Sequence, residues 1–185
     1  MIRIFSLPSQ TSIHGLREME EKDVPAVHAL WHKFMASFDM VPNVTEEDVQ
    51  HYLLSGRGEG EKKNLRREGQ VVWSYVVEVN VILRYLALRM HSRPCYQDPE
   101  THGITDYFSF YTLPSSVINN AKHRILDAVY LFYYGTEAAL QPNAQSSGVL
   151  KKRLLTLIGD ALIIATQVCL CWSCVIRFLA THTVE

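Results

Sequence analysis

The sequence predicts an α+β fold, and three patterns carry that expectation. Apolar residues recur at helical spacing after Asp23, two aromatic and β-branched segments flank a turn-rich linker in the middle, and a long helical period runs through "LLTLIGDALIIA" near the end. The 185 residues, 48% of them hydrophobic and 20% charged, suffice for one domain with its own core. A net charge of -1, with Lys and Arg dispersed along the chain, gives no electrostatic footprint for nucleic acid. The opening "MIRIFSLP" has neither the apolar core of a secretory signal nor the character of a transit peptide, so a cytoplasmic location is expected. Cys95 stands alone, while Cys169, Cys171 and Cys174 crowd together; this is not the spacing of a disulfide framework, and free thiols are expected.

The first helix lies in "KDVPAVHALWHKFMASF". Asp23 is placed to cap it, Pro25 suits its first turn, and Val27, Leu30, Trp31, Phe34, Met35 and Phe38 repeat at helical spacing. His28 and His32 lie four apart on that helix, a spacing able to chelate a metal, but no carboxylate or thiol at matching spacing completes a site, so both are expected on a solvated face. A second, shorter helix follows in "TEEDVQHYLL", where Thr45 and Asp48 form a capping pair and Val49, Tyr52 and Leu53 face inward.

Ser55 to Gly69 holds four glycines, a run of charge and one apolar residue, Leu65, and reads as an exposed flexible loop. Its "GRGEG" lacks the preceding strand and the following Gly-Lys-Ser/Thr of a phosphate cradle. "QVVWSYVVE" and "ITDYFSFYTL" then read as two strands. Between them, residues 79–97 have neither a period of two nor of 3.6 and interrupt what is otherwise a hairpin with a short "DPETHG" turn. A Val codon begins GT and a Gln codon can be CAG, so 79–97 fits an intron read through in frame; the other reading is a genuine surface insertion, which costs little thermodynamically. Further on, a helix is expected from about Asn120, then a short aromatic strand "VYLFYY", then a helix near Leu150 to Ala165.

The segments "GLREMEEKDVPAVHALW", "EEDVQHYLL", "VVWSYVVE", "DPETHGITDYFSFYTLPSSVINNAKHRILDAVYLFYY" and "LLTLIGDALIIA" appear in the order and spacing of part of the C-terminal half of one family. In them the chain resembles the glycylpeptide N-tetradecanoyltransferases, the protein N-myristoyltransferases, most closely in a fungal form. The resemblance implies an acetyltransferase-like (GNAT) half-domain, incomplete, spanning residues 1–167 with the insertion at 79–97, and a tail at 168–185 outside the family pattern. It implies an acyltransferase that moves a tetradecanoyl group from myristoyl-CoA, its co-substrate, to the N-terminal glycine of substrate proteins. In that family the base is a C-terminal carboxylate and the oxyanion hole comes from backbone amides of the other half. Neither is recognisable here, nor is the "KFGxGDG" segment. This chain is therefore expected to bind no cofactor and to be inactive in isolation, the alternative function being a non-catalytic peptide- or partner-binding fragment.

Two residues carry over from the family's peptide groove. Ser115, directly after Leu113 and Pro114, matches a serine whose hydroxyl lines the groove and can both donate and accept. Tyr130 matches an aromatic wall residue. Without the resemblance, the same residues read as a turn or cap serine and a core tyrosine. The tail remains open to three readings. It can be a second read-through beginning at Val168; its apolar run 161–176 is short for a spanning helix and bracketed by Asp160 and Arg177; and Cys169, Cys171, Cys174 and His182 lack a second ligand pair at finger-like spacing.

Overall fold

The structure, a computed structural model, describes residues 7–63, 65–79, 103–119, 124–168 and 176–177. In chain order it contains β1 (Leu16–Glu18), a 3-10 turn (Glu21–Asp23), α1 (Val24–Met35), α2 (Glu46–Leu54), β2 (Glu59–Lys63), β3 (Arg66–Glu68), β4 (Val72–Glu78), β5 (Ile104–Ser116), β6 (Ile125–Thr136), a second 3-10 turn (Glu137–Leu140), α3 (Val149–Val168) and β7 (Ile176–Arg177). Five strands form one sheet in the order β1-β4-β5-β6-β7, all antiparallel except the parallel β6–β7 pair.

Strand alternation sends successive side chains to opposite faces, and each face has its own helices. Val76 and Tyr107 point to the side of α1 and α2, where they pack with Val27, Leu30, Trp31, Val49 and Leu53. Trp73, Phe108, Phe110 and Val129 point to the other side, against Leu157, Ala161, Ile164 and Ala165 of α3. The two clusters together give the core expected of an α+β domain.

Helix α1 forms where the period predicts it, with Pro25 in its first turn. Asp23 occupies the cap position, but its side chain makes no cap bond to α1. It closes back on the Glu20 N–H at 2.9 Å and takes a two-pronged bond from Arg17, both prongs 2.7 Å. A fully buried carboxylate needs a charged partner more than a helix end needs one acceptor. The Thr45–Asp48 capping box of α2 is present in both directions. Tyr52 is more exposed than expected, although its ring meets Phe132 and Tyr133.

The β4–β5 hairpin pairs from Val72↔Tyr111 to Glu78↔Ile104, with one register shift between Val77 and Glu78. The Val79 N–H donates to Gly103 O at 3.1 Å, so the flanks of the interrupted turn meet regardless of what lies between them. Residues 80–97 lie outside the described residues.

Two expectations are corrected. Ser55 to Gly69 is not a flexible loop throughout: it folds into the β2–β3 hairpin. The hairpin is tied to β1 by Glu18, which accepts two bonds from Arg67 at 2.6 and 2.9 Å and pairs with Lys62 at 2.6 Å. Gly58 is required there, since it holds a φ of +72° and a Cβ would sit 2.5 Å from Glu68 O. The second correction concerns the helix expected from about Asn120. Residues 120–123 lie outside the described residues, but from Ile125 the chain is strand, not helix: β6 is much longer than "VYLFYY", spanning Ile125–Thr136, and the Val117 N–H donates to Arg124 O at 3.0 Å. Pairing along the whole of β5 outweighs the local preference of a short apolar run that is ambiguous on its own.

Helix α3 matches the expected helix and extends it to Val168. Buried Asp160 on α3 accepts the backbone N–H of Ser12 at 2.9 Å and of Ile13 at 2.8 Å, which pins the incoming chain to α3. Arg153 reaches Asp106 with bonds of 2.9 and 2.5 Å, tying α3 to β5. Among the described residues no helix is long and apolar enough to cross a membrane.

Candidate functional site

Both sequence-predicted site residues lie on the β5–β6 pair. The register places Tyr111 opposite Tyr130, Leu113 opposite Ala128 and Ser115 opposite Leu126. Opposed residues share a face, as do residues two apart along a strand. Ser115 and Tyr130 therefore stand on the same face of the sheet, the one that carries α1 and α2. Ser115 is four positions beyond Tyr111, the cross-strand partner of Tyr130, which separates the two by about 13 Å along the strand.

The surface between them is a strip of aromatic and small polar groups. Tyr130 stacks on Tyr111 with ring centroids 5.5 Å apart and planes 18° from parallel. Phe132 stands edge-on to Tyr111 at 5.5 Å and meets Tyr52 of α2 at 6.3 Å. Beyond Tyr111, Leu113 is half exposed. The Ser115 hydroxyl has a partner in Leu113 O at 3.4 Å, near the long limit for an O–H bond, so it is readily available to a better one. Tyr111, Leu113 and Phe132 were not singled out from the sequence. The alternation Tyr111, Leu113, Ser115 was the signal that could have placed the first two on this face.

The edge of β6 beside Tyr130 is occupied, since Val129 pairs with Ile176 and Tyr130 with Arg177 of β7. Among the described residues, catalytic groups do not converge on the strip. No cluster of three or more His, Cys, Asp or Glu side chains suited to a metal exists among the described residues. Cys95, Cys169, Cys171, Cys174, His182 and Glu185 lie outside them.

The ion pairs lie outside the strip, on β1 and its neighbours and between α3 and β5. Burial alone raises the Glu18 carboxyl, but hydrogen bonds from Arg67 and Lys62 outweigh it and bring the pKa down to about 2. Asp23 is likewise held below the usual carboxylate range by Arg17 despite its burial. The hydroxyls of Tyr75 and Tyr107 move the other way: burial pushes Tyr75 up to about 12 and Tyr107 further. These are supporting groups, perturbed by structural pairing or burial, and none of them is part of the open strip.

A mainly antiparallel five-stranded sheet with helices on both faces and an open aromatic strip along one strand pair is the architecture of an acetyltransferase-like half-domain. Comparison with solved structures agrees: crystal structures of Saccharomyces cerevisiae N-myristoyltransferase with bound myristoyl-CoA superpose with TM-scores of 0.65 and 0.67 at 31% and 30% identity, covering 90% of this chain. The family described as "Myristoyl-CoA:protein N-myristoyltransferase, C-terminal domain" matches residues 1–87 and 93–170, and the chain belongs to that family. Glycylpeptide N-tetradecanoyltransferase of Aspergillus fumigatus is 44% identical over 161 residues, 87% of this chain and 27% of that protein. The Mycosarcoma maydis enzyme of the same name is 41% identical over 153 residues, 80% of this chain and 19% of its own length. The chain thus spans a fifth to a third of the proteins it matches.

Proposed function

We propose that this chain is the peptide-side portion of an N-myristoyltransferase, with the strip from Tyr130 to Ser115 as a wall of the groove that takes the N-terminal glycine peptide of a substrate protein. The observation that carries this reading is the shared face of Ser115 and Tyr130 within a chain of this family. An extended peptide suits such a wall. Aromatic rings give it apolar area at low entropic cost, and a hydroxyl can pair with either a backbone N–H or a carbonyl.

The reaction forms a C–N bond between the glycine amine and the thioester carbonyl of myristoyl-CoA and breaks the C–S bond, CoA leaving as the thiol with the proton the amine gives up. It needs a base, an oxyanion hole and positioning of the amine. Of these, the described residues offer positioning. Myristoyl-CoA is the co-substrate of the whole enzyme, held outside this chain, and the setting is cytoplasmic. The segments 79–97 and 168–185 stand outside the family framework. The direct closure of β4 on β5 at Val79 and Gly103 supports the first of these, while the family match itself breaks only at residues 88–92 and runs on to residue 170.

The test is a chimera in which residues 1–78 and 98–167 replace the matching segment of the Aspergillus fumigatus relative, assayed for transfer of myristate to a glycine peptide. The expected result is transfer by the chimera and none by the purified 185-residue chain alone. A folded chimera without transfer overturns the reading.

A further inference from the structure

We propose that His28, His32 and the backbone carbonyl of Val44 form a binding site for a divalent first-row transition-metal ion of the kind that imidazole favours. The proposal is independent of the peptide strip. The two histidines are one turn apart on α1 and share a face. Their rings stand edge to face, centroids 4.5 Å apart and planes at 85°. The Nε2 atoms are 2.9 Å from each other, and Val44 O lies 2.9 Å from that of His28 and 3.0 Å from that of His32.

In every neutral tautomer at least one edge of this near-equilateral triangle lacks a hydrogen bond. Each Nε2 carries at most one proton, so two protons are available for three edges. If both nitrogens are protonated, both can donate to Val44 O but face each other as donor against donor. If one is deprotonated, the edge between the rings is satisfied while that ring's lone pair opposes the lone pairs of the carbonyl. A cation removes the conflict, because it accepts a lone pair from all three atoms at once.

The dimensions fit a metal. At a bond length of about 2.1 Å, typical for imidazole nitrogen, an ion equidistant from the three atoms sits about 1.2 Å out of their plane, with angles close to about 90° between donors. That is one face of an octahedron, which suits Ni2+ better than tetrahedral Zn2+. Exposure of His32 leaves the remaining positions to water. The oxygen donor is held in place from both sides. The Val44 side chain is buried in the α1/α2 core, and the next residue, Thr45, is locked by its reciprocal cap with Asp48. Glu46 adds a carboxylate 3.9 Å from His28 Nδ1, where it favours the tautomer that leaves Nε2 free to coordinate. The sequence pattern looked incomplete because the third donor is a main-chain atom.

The test is calorimetric titration of Ni2+ into the purified, untagged full chain carrying Cys169→Ser, Cys171→Ser and Cys174→Ser, so that thiolates do not compete. One Ni2+ per chain is expected. His32→Ala, a change at an exposed position, and His28→Ala should each weaken binding about tenfold or more, since each removes one of two nitrogen donors. Glu46→Gln should weaken it less, and His51→Ala should leave it unchanged. Absence of stoichiometric uptake, or uptake that survives His32→Ala, overturns the proposal.

Discussion

The two ends of the β4–β5–β6 sheet use the same kinds of residue to opposite ends. Toward the start of β5, Trp73, Phe108 and Phe110 are sealed beneath α3 and Tyr107 beneath α1 and α2. Toward its end, Tyr111 and Tyr130 are half open and Leu113 is 49% exposed on the same face. Aromatic residues thus build a core in one half of the strand pair and a surface in the other. A monomeric domain seldom leaves large apolar groups open in a row without a use for them. The difference separates two kinds of mutational effect: stability should be lost at the sealed end, and binding at the open end.

The largest effect should come from Trp73→Ala. It empties a fully buried site that stacks on Phe110 at 5.6 Å, and should cost about 3–5 kcal/mol in a denaturant melt. Arg153→Ala should cost about 3 kcal/mol, because it leaves the Asp106 carboxylate buried without its counter-charge. Unchanged stability of either variant would mean that the sheet is not packed against α3 as described.

Acid should loosen the β1 side of the same end. Glu18 has a folded pKa of about 2, below the ordinary value of 4.5. Its contribution is present above the unfolded pKa and is lost as pH falls from about 5 toward 2. A stability–pH curve of Glu18→Gln should therefore converge on that of the parent near pH 2. Parallel curves across that window would show that the Glu18–Arg67 pair does not form.

Tyr107→Phe sharpens the comparison from the other side. The Tyr107 hydroxyl is buried without a partner among the described residues, so its removal should leave the melting temperature unchanged or raise it. The smallest stability changes belong to the open end. Ser115→Ala should shift folding by less than about 0.5 kcal/mol, as surface positions do, while acting on peptide binding.

Legibility in the sequence follows burial. Helix α1 could be read because its inward positions keep a clean period, and the β4–β5 hairpin because both strands have a buried side, even with the interruption between Val79 and Gly103. The β2–β3 hairpin could not. Every residue of β2 is exposed, so no apolar alternation marks it, and its anchorage is the ionic contact of Arg67 and Lys62 with distant Glu18. The start of β6 at Ile125 could not be read, because "ILDAVYLFYY" fits two periods and only pairing with β5 decides between them. Ser115 and Tyr130 were named by family resemblance. Their common face depends on a cross-strand register that neither segment carries alone, and Val44 at the histidine pair contributes an atom that no side-chain pattern reveals.

The most direct test of the central claim is the steady-state kinetics of the chimera carrying Ser115→Ala and Tyr130→Ala, with both substrates varied. A groove wall predicts that KM for the glycine peptide rises about tenfold, equivalent to about 1.4 kcal/mol, while KM for myristoyl-CoA stays unchanged. An unchanged peptide KM, or an equal rise for both substrates, would contradict it.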